Sequence, residues 1–146
     1  MGPEVFEKDV GEWDAHVEVY AGPAPTTSKG TMTSRLACGG LWLVSDYKGD
    51  SGFDGHGMWT WDAAKKKYVG VWADNQMTFL APGEGTWDPE KKTMTFEYSA
   101  TINGKDMRWK QITENVDANT QVFRSFMPHD AAKEMMKVTY KRRTNS

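Results

Sequence analysis

Asp54-Gly55-His56 is the segment whose residue types point most directly to chemistry. Residues two apart on a strand share a face. The spacing therefore sets a carboxylate beside an imidazole, the pairing of a general base with the group that orients it. Gly55 and Gly57 flank the histidine and leave room for a ligand or an approaching backbone. Arg35, Asp46, Tyr47 and Asp74 fall on segments that read as neighbouring strands. Cross-strand pairing can join Arg35 to Asp46. A buried pair of that kind either orients a bound carboxylate or satisfies a polar interior. In the catalytic version of this site His56 is the base and Asp54 or Asp46 its orienter. Arg35 or Tyr47 then stabilises developing negative charge.

A second set suits binding rather than catalysis. Trp42, Trp59 and Trp72 recur on adjacent predicted strands. They can wall an apolar cavity and offer indole N–H donors, although ordinary core packing accounts for each one singly. Arg124, like Arg108, falls among Met, Trp and Phe on a later strand and suits an anionic group, with the outer wall as its alternative. Asp14, His16 and Glu18 share a face of the first strand, but Trp13, Val17 and Val19 claim the core side, which leaves the acidic face to solvent. A metal needs three or four convergent ligands. His16, His56 and His129 show no such spacing, so no metal site is expected. No nucleophile elbow, phosphate-binding loop or dinucleotide fingerprint occurs, and no cofactor is called for.

The elements that would position these residues are strands. Residues 11–20 alternate apolar and polar, the period of a half-buried strand. Residues 22–30 (GPAPTTSKG) read as a loop. Strands are predicted over 31–38 and 41–48, broken at Gly39-Gly40, then over 53–61 and 66–74 around short polar turns. A very short strand lies near Thr86-Trp87. Residues 93–100 place Met94, Phe96, Tyr98 and Ala100 on one face. Asn103-Gly104 predicts a type I′ hairpin into 106–113. Strands over 120–127 and 135–142 follow, the latter with Met136, Val138 and Tyr140 on one side, and 128–134 reads as a longer loop or helical turn. No convincing amphipathic helix is visible.

Composition agrees. The 146 residues fit one domain spanning 1–146. Seven Trp, five Tyr and six Phe supply core volume, while leucine is confined to positions 36, 41, 43 and 80, against a helical bundle. A net charge of −2 gives no footprint for nucleic acid. No apolar run is long enough for a membrane span, and no secretory leader opens the chain, so a soluble, cytoplasmic protein is expected. Cys38 is the lone cysteine and reads as a small buried hydrophobe.

Several short motifs occur in order along the chain. They are Gly11-x-Trp13, the Arg35-to-Gly40 approach into GGLWLVSDYKG, FDGHG at 53–57, Trp61-Asp62 followed by KKKYVGVWAD, Glu84-Gly85-Thr86, and the terminal KVTYKRR. On these the chain resembles a bacterial family, domain of unknown function number 1579, over nearly its whole length. The resemblance implies a lipocalin-like antiparallel barrel of calycin type with a central cavity, and it implies no established activity. Where the family pattern carries Gly-Tyr-Asp before the Lys-rich turn, this chain has Thr60-Trp61-Asp62. That departure argues against transferring ligand choice from relatives.

The reading is therefore all-β: a closed antiparallel meander barrel of about eight to ten strands. The leading function is binding of a small, largely apolar molecule in the barrel, with Trp42, Trp59 and Trp72 as walls. His56, Asp46, Tyr47, Arg35, Asp74 and Arg124 are the polar anchors. The alternative is a cofactor-independent isomerase, lyase or hydrolase using His56 as base inside the barrel. A third possibility is a barrel filled by its own aromatics. The partner is a small molecule, with a homodimer left open, and neither nucleic acid nor membrane is expected. Alternation forbids Asp46 and Tyr47 from both facing inward without a bulge.

Overall fold

The computed structural model describes residues 1–144. Ten antiparallel strands follow one another around a closed barrel, and β1 closes it against β10. The strands are β1 (Gly11–Val19), β2 (Thr26–Ala37), β3 (Trp42–Gly49), β4 (Asp54–Asp62) and β5 (Lys67–Asp74). They continue with β6 (Pro82–Asp88), β7 (Thr93–Ile102), β8 (Lys105–Asp117), β9 (Thr120–Met127) and β10 (Asp130–Arg142). Closure pairs every strand edge, which is the physical reason a long meander curls up.

Alternation sets the two faces of the wall. On β1, Trp13, Ala15 and Val17 are buried and point inward, while Glu12, Asp14 and His16 are exposed. The register carries that inner row around the barrel. Trp13 stands opposite Met32, which stands opposite Tyr47. Tyr98 stands opposite Gly83 and Trp109.

The interior divides into two clusters. Phe6, Leu43, Tyr68, Phe96 and Tyr98 fill the end near the N-terminus. Ala15, Val17, Tyr47 and Val138 form the other, with Met32, Phe53, Trp72, Phe123, Met136 and Tyr140 packed against them.

A 3-10 helix, Pro3–Asp9, closes the first end. Phe6 inserts from it and meets Tyr68 edge-on at 5.3 Å between ring centroids. The Tyr68 hydroxyl donates to Gly2 O (2.8 Å), Trp13 Nε1 donates to Asp9 O (3.0 Å), and Gln121 Nε2 donates to Asp9 Oδ1 (2.6 Å). Sequence periodicity gave no sign of this helix, because seven residues are too few to display a 3.6-residue pattern.

Two predicted loops are strand. Residues 26–30 pair with β1 from Val19↔Thr26 to Ala15↔Gly30. The Pro, Gly and Ser content pointed to a loop, but the neighbouring strand offers a full hydrogen-bond ladder, and pairing overrides local preference. Residues 130–134 likewise extend β10, with register shifts near Glu134. The type I′ turn is present, with Asn103 at φ 51 and Gly104 at φ 76.

One seam is short. β5 and β6 pair only from Tyr68↔Gly85 to Val71↔Pro82. Pro82 begins its strand, a position that suits a residue with no N–H to donate. Beyond it residues 75–81 cross between the strands, with Leu80 73% exposed. No helix among the described residues is long and apolar enough to cross a membrane.

Candidate functional site

The Asp54-Gly55-His56 constellation forms, but on the outer wall. The inward positions of β3 are Leu43, Ser45 and Tyr47, so Trp42, Val44 and Asp46 point outward. Asp46 stands opposite His56 on β4, and His56 is 55% exposed in its side chain. Its Nδ1 lies 2.6 Å from Asp46 Oδ1 and its Nε2 3.3 Å from Asp54 Oδ1. Arg35 reaches Asp46 at 3.4 Å, and Lys48 reaches Asp54 at 2.9 Å. The Lys48 ammonium, with His56 beyond it, holds the Asp54 carboxyl below its usual range. This is an imidazole clamped by two partly exposed carboxylates on the outer face. None of the three side chains lines the nearby outer groove, whose wall reaches only Lys48 of this cluster, and their exposure gives little means to exclude solvent from a reaction.

The expectation of His56 as a base inside the barrel is therefore corrected, and with it the interior placement of Arg35, Asp46 and Asp54. The cause is strand parity. Gly55 and Gly57, the neighbours of His56, are the inward residues, and the space they leave is occupied. A Cβ on Gly55 would lie 2.3 Å from Trp72 Cζ2, and one on Gly57 would lie 2.2 Å from Trp59 Cη2. The glycines make room for rings inside, not for a ligand beside the histidine.

Two further expected site residues also lie outside. Trp42 shares the outer face of β3 with Asp46. Arg124 faces out from β9 and forms an ion pair with Glu134 at 2.7 Å. The Asp14/His16 face is exposed, as read from the sequence, and borders a shallow outer groove of about 760 Å³ with Lys29, Lys48 and Lys141. Cys38 is exposed in a turn rather than buried. Among the described residues no three His, Cys, Asp or Glu side chains converge as a metal would require.

Tyr47, Trp59, Trp72 and Asp74 do point inward. Trp59 and Trp72 stack at 6.5 Å between centroids with 26° between planes. Trp59 Nε1 donates to the Tyr98 hydroxyl at 3.1 Å. Trp72 Nε1 donates to Asp74 Oδ2 at 3.0 Å, while the Gln76 N–H donates to the other oxygen at 2.8 Å. Tyr47 is 6% exposed and meets Phe53 edge-on at 5.7 Å.

The interior holds groups that were not singled out from the sequence as site residues. Tyr98 stacks on Phe96 and Trp109, and burial pushes its phenol up to about 12. Tyr140 lies deep in the barrel, where burial pushes its phenol well up and the neighbouring Tyr47 adds to the effect. Alternation over 93–100 and 135–142 carried the signal for both. Nothing in a single sequence distinguishes a tyrosine that only packs from one with a free hydroxyl.

The inward row is not buried throughout. Met32, Trp59, Trp72, Trp109, Phe123, Met136 and Tyr140 all turn inward, yet each keeps part of its surface open.

A family model described as protein of unknown function, DUF1579, matches residues 3–142. No curated protein matches the sequence. Among solved structures, a redesigned β-barrel is similar with a TM-score of 0.46 and 12% identity, over 98% of this chain and 96% of that one.

Proposed function

The chain belongs to the DUF1579 family, and on that premise we propose that its barrel is a lipocalin-like container for a small, largely apolar molecule. The observation that carries the reading is the incomplete burial of inward-facing Trp72, Trp109, Phe123, Met136 and Tyr140. A barrel of this strand number can hold side chains or one small ligand. The partial exposure of these side chains fits a barrel that they do not fill. Aromatic walls offer an apolar body stacking and edge contacts, and methionine adapts to irregular shapes. The short β5–β6 seam beside Trp72 and Asp74 supplies a route inward where the wall lacks a ladder. A lone exposed Cys38 fits a reducing, cytoplasmic setting.

The interior gives an enzyme little to work with. Among the described residues the phenols turned inward are held neutral by burial, and the carboxylate of Asp74 is already engaged by Trp72 and Gln76. The test is native mass spectrometry of freshly purified protein, together with quenching of tryptophan emission by naphthalene. A co-purified small mass, or saturable quenching at micromolar naphthalene, supports the container. An empty barrel that naphthalene does not quench refutes it.

A further inference from the structure

We propose that the bound molecule is neutral and carries a hydrogen-bond acceptor, such as a carbonyl, which is held by the hydroxyls of Tyr140 and Tyr47. The proposal rests on the container reading and narrows it.

The first support is placement. Tyr140 on β10 stands opposite Ala15 on β1, and Ala15 stands opposite Gly30 on β2. A Cβ on Gly30 would lie 2.3 Å from the Tyr47 hydroxyl, so that hydroxyl rests over Gly30. Two residues with almost no side chain thus lie between two phenols. Both phenols belong to the same inner cluster. Met32, Trp72, Phe123 and Met136 pack against the same cluster.

The second support is an unmet bonding capacity. Of the other interior tyrosine hydroxyls, Tyr68 donates to Gly2 O, while Tyr98 accepts from Trp59 Nε1 at the opposite cluster. Among the described residues, neither the Tyr140 nor the Tyr47 hydroxyl has a protein partner. Neither oxygen is among the buried side-chain atoms without a partner, so both keep some accessible surface, where an acceptor on a ligand takes the place of water. Burial keeps both groups protonated, which leaves each with a proton to give.

The third support is charge. Alternation sends Arg35, Lys48, Arg108, Arg124 and Lys137 to the outer face. Arg142 turns toward the closed end, where it is bound to the carbonyls of Lys8, Val10 and Ala118. No lysine or arginine among the described residues turns into the middle of the barrel. A carboxylate there would lose its hydration without gaining a counter-charge. A ketone, ester or amide oxygen would lose little and gain two donors.

The experiment is a tryptophan-quenching titration with naphthalene, 2-acetylnaphthalene and 2-naphthoate. These share one ring system and differ in the polar group. The ketone is expected to bind about tenfold tighter than naphthalene, and 2-naphthoate at least about tenfold weaker than the ketone. In Tyr140→Phe the ketone-to-naphthalene affinity ratio falls toward one. Tyr47→Phe, which removes the other hydroxyl, lowers the same ratio and covers the case in which Tyr140→Phe fails to fold. A ratio near one in the unmodified protein overturns the anchor while the container reading stands. So does a ratio unmoved by both variants, or tightest binding by 2-naphthoate. No saturable quenching by any of the three overturns both.

Discussion

Arg142 holds its guanidinium 4.2 Å over the Trp13 ring and donates from the same group to the carbonyls of Lys8, Val10 and Ala118. One side chain therefore ties the last strand to the first strand, to the β8–β9 turn and to the plug helix. A planar fork of donors makes this arrangement possible, and an ammonium cannot reproduce it. Trp13 beneath it is 2% exposed. Arg142→Lys is expected to lower the free energy of unfolding by about 2 kcal/mol. Urea titration should show a reduced midpoint with an unchanged m-value. A loss below about 0.5 kcal/mol would mean that the plug does not depend on this contact.

The interior is built by laying aromatic rings over glycines of the same or adjacent strands, and Gly70 shows what that requires. A Cβ there would lie 1.9 Å from Trp59 Cδ1 and 2.6 Å from the backbone oxygen of Met58. The backbone atom cannot rotate away. Gly70→Ala should destabilise by about 2–3 kcal/mol, with a changed tryptophan emission as Trp59 leaves Tyr98. Gly39→Ala makes the contrast. That site is open but has φ +70, so the change should be about 1 kcal/mol with unaltered emission. Equal effects at the two positions would refute the packing account.

The barrel was legible because alternation and turn chemistry agree along most of the chain. Residues 93–100 illustrate this: Phe96 and Tyr98, grouped from spacing alone, are buried, and Asn103-Gly104 makes the hairpin turn. The site was less legible, since parity separates two faces without saying which is inner. Around His56 the chemically attractive residues and the aromatic ones alternate. The attractive set, Asp46, His56 and Asp54, lies on the outer face. The inner set consists of glycines covered by Trp59 and Trp72, which a reader scanning for polar chemistry passes over. Trp42 was misplaced by the same ambiguity. The strand character of 26–30 and the plug helix depend on partners distant in sequence, and no local pattern records them.

His56 supplies a direct check on the outer placement. Its contacts with Asp46 and Asp54 are open to water, where ion pairs are screened and weak. His56→Gln should shift Tm by less than about 2 °C. It should also leave both the affinity for 2-acetylnaphthalene and the ketone-to-naphthalene ratio unchanged. A substantial loss of binding in this variant would restore the histidine to the site and contradict the placement of the ligand inside.

Alkaline titration reads the interior without any ligand. All five tyrosines of the chain have phenols shifted upward, with desolvation the leading cause in each. Tyr98 moves from 10.0 to about 12. The sign follows from linkage. Below pH 10 the phenol is protonated in both states and its contribution to stability is complete. Between pH 10 and about 12 the unfolded chain ionises while the folded protein does not, so the folded state loses stability. For Tyr98 the loss is about 3 kcal/mol over that interval. Tyr140 adds to it in the same direction. Urea unfolding at pH 9, 10.5 and 11.5 should show a steep decline across the last two. Phenolate absorbance of the native protein should lag well behind that of the urea-unfolded chain. Native absorbance that rises in full near pH 10 would mean that the interior tyrosines are freely hydrated. That outcome would contradict the proposed donor-lined interior.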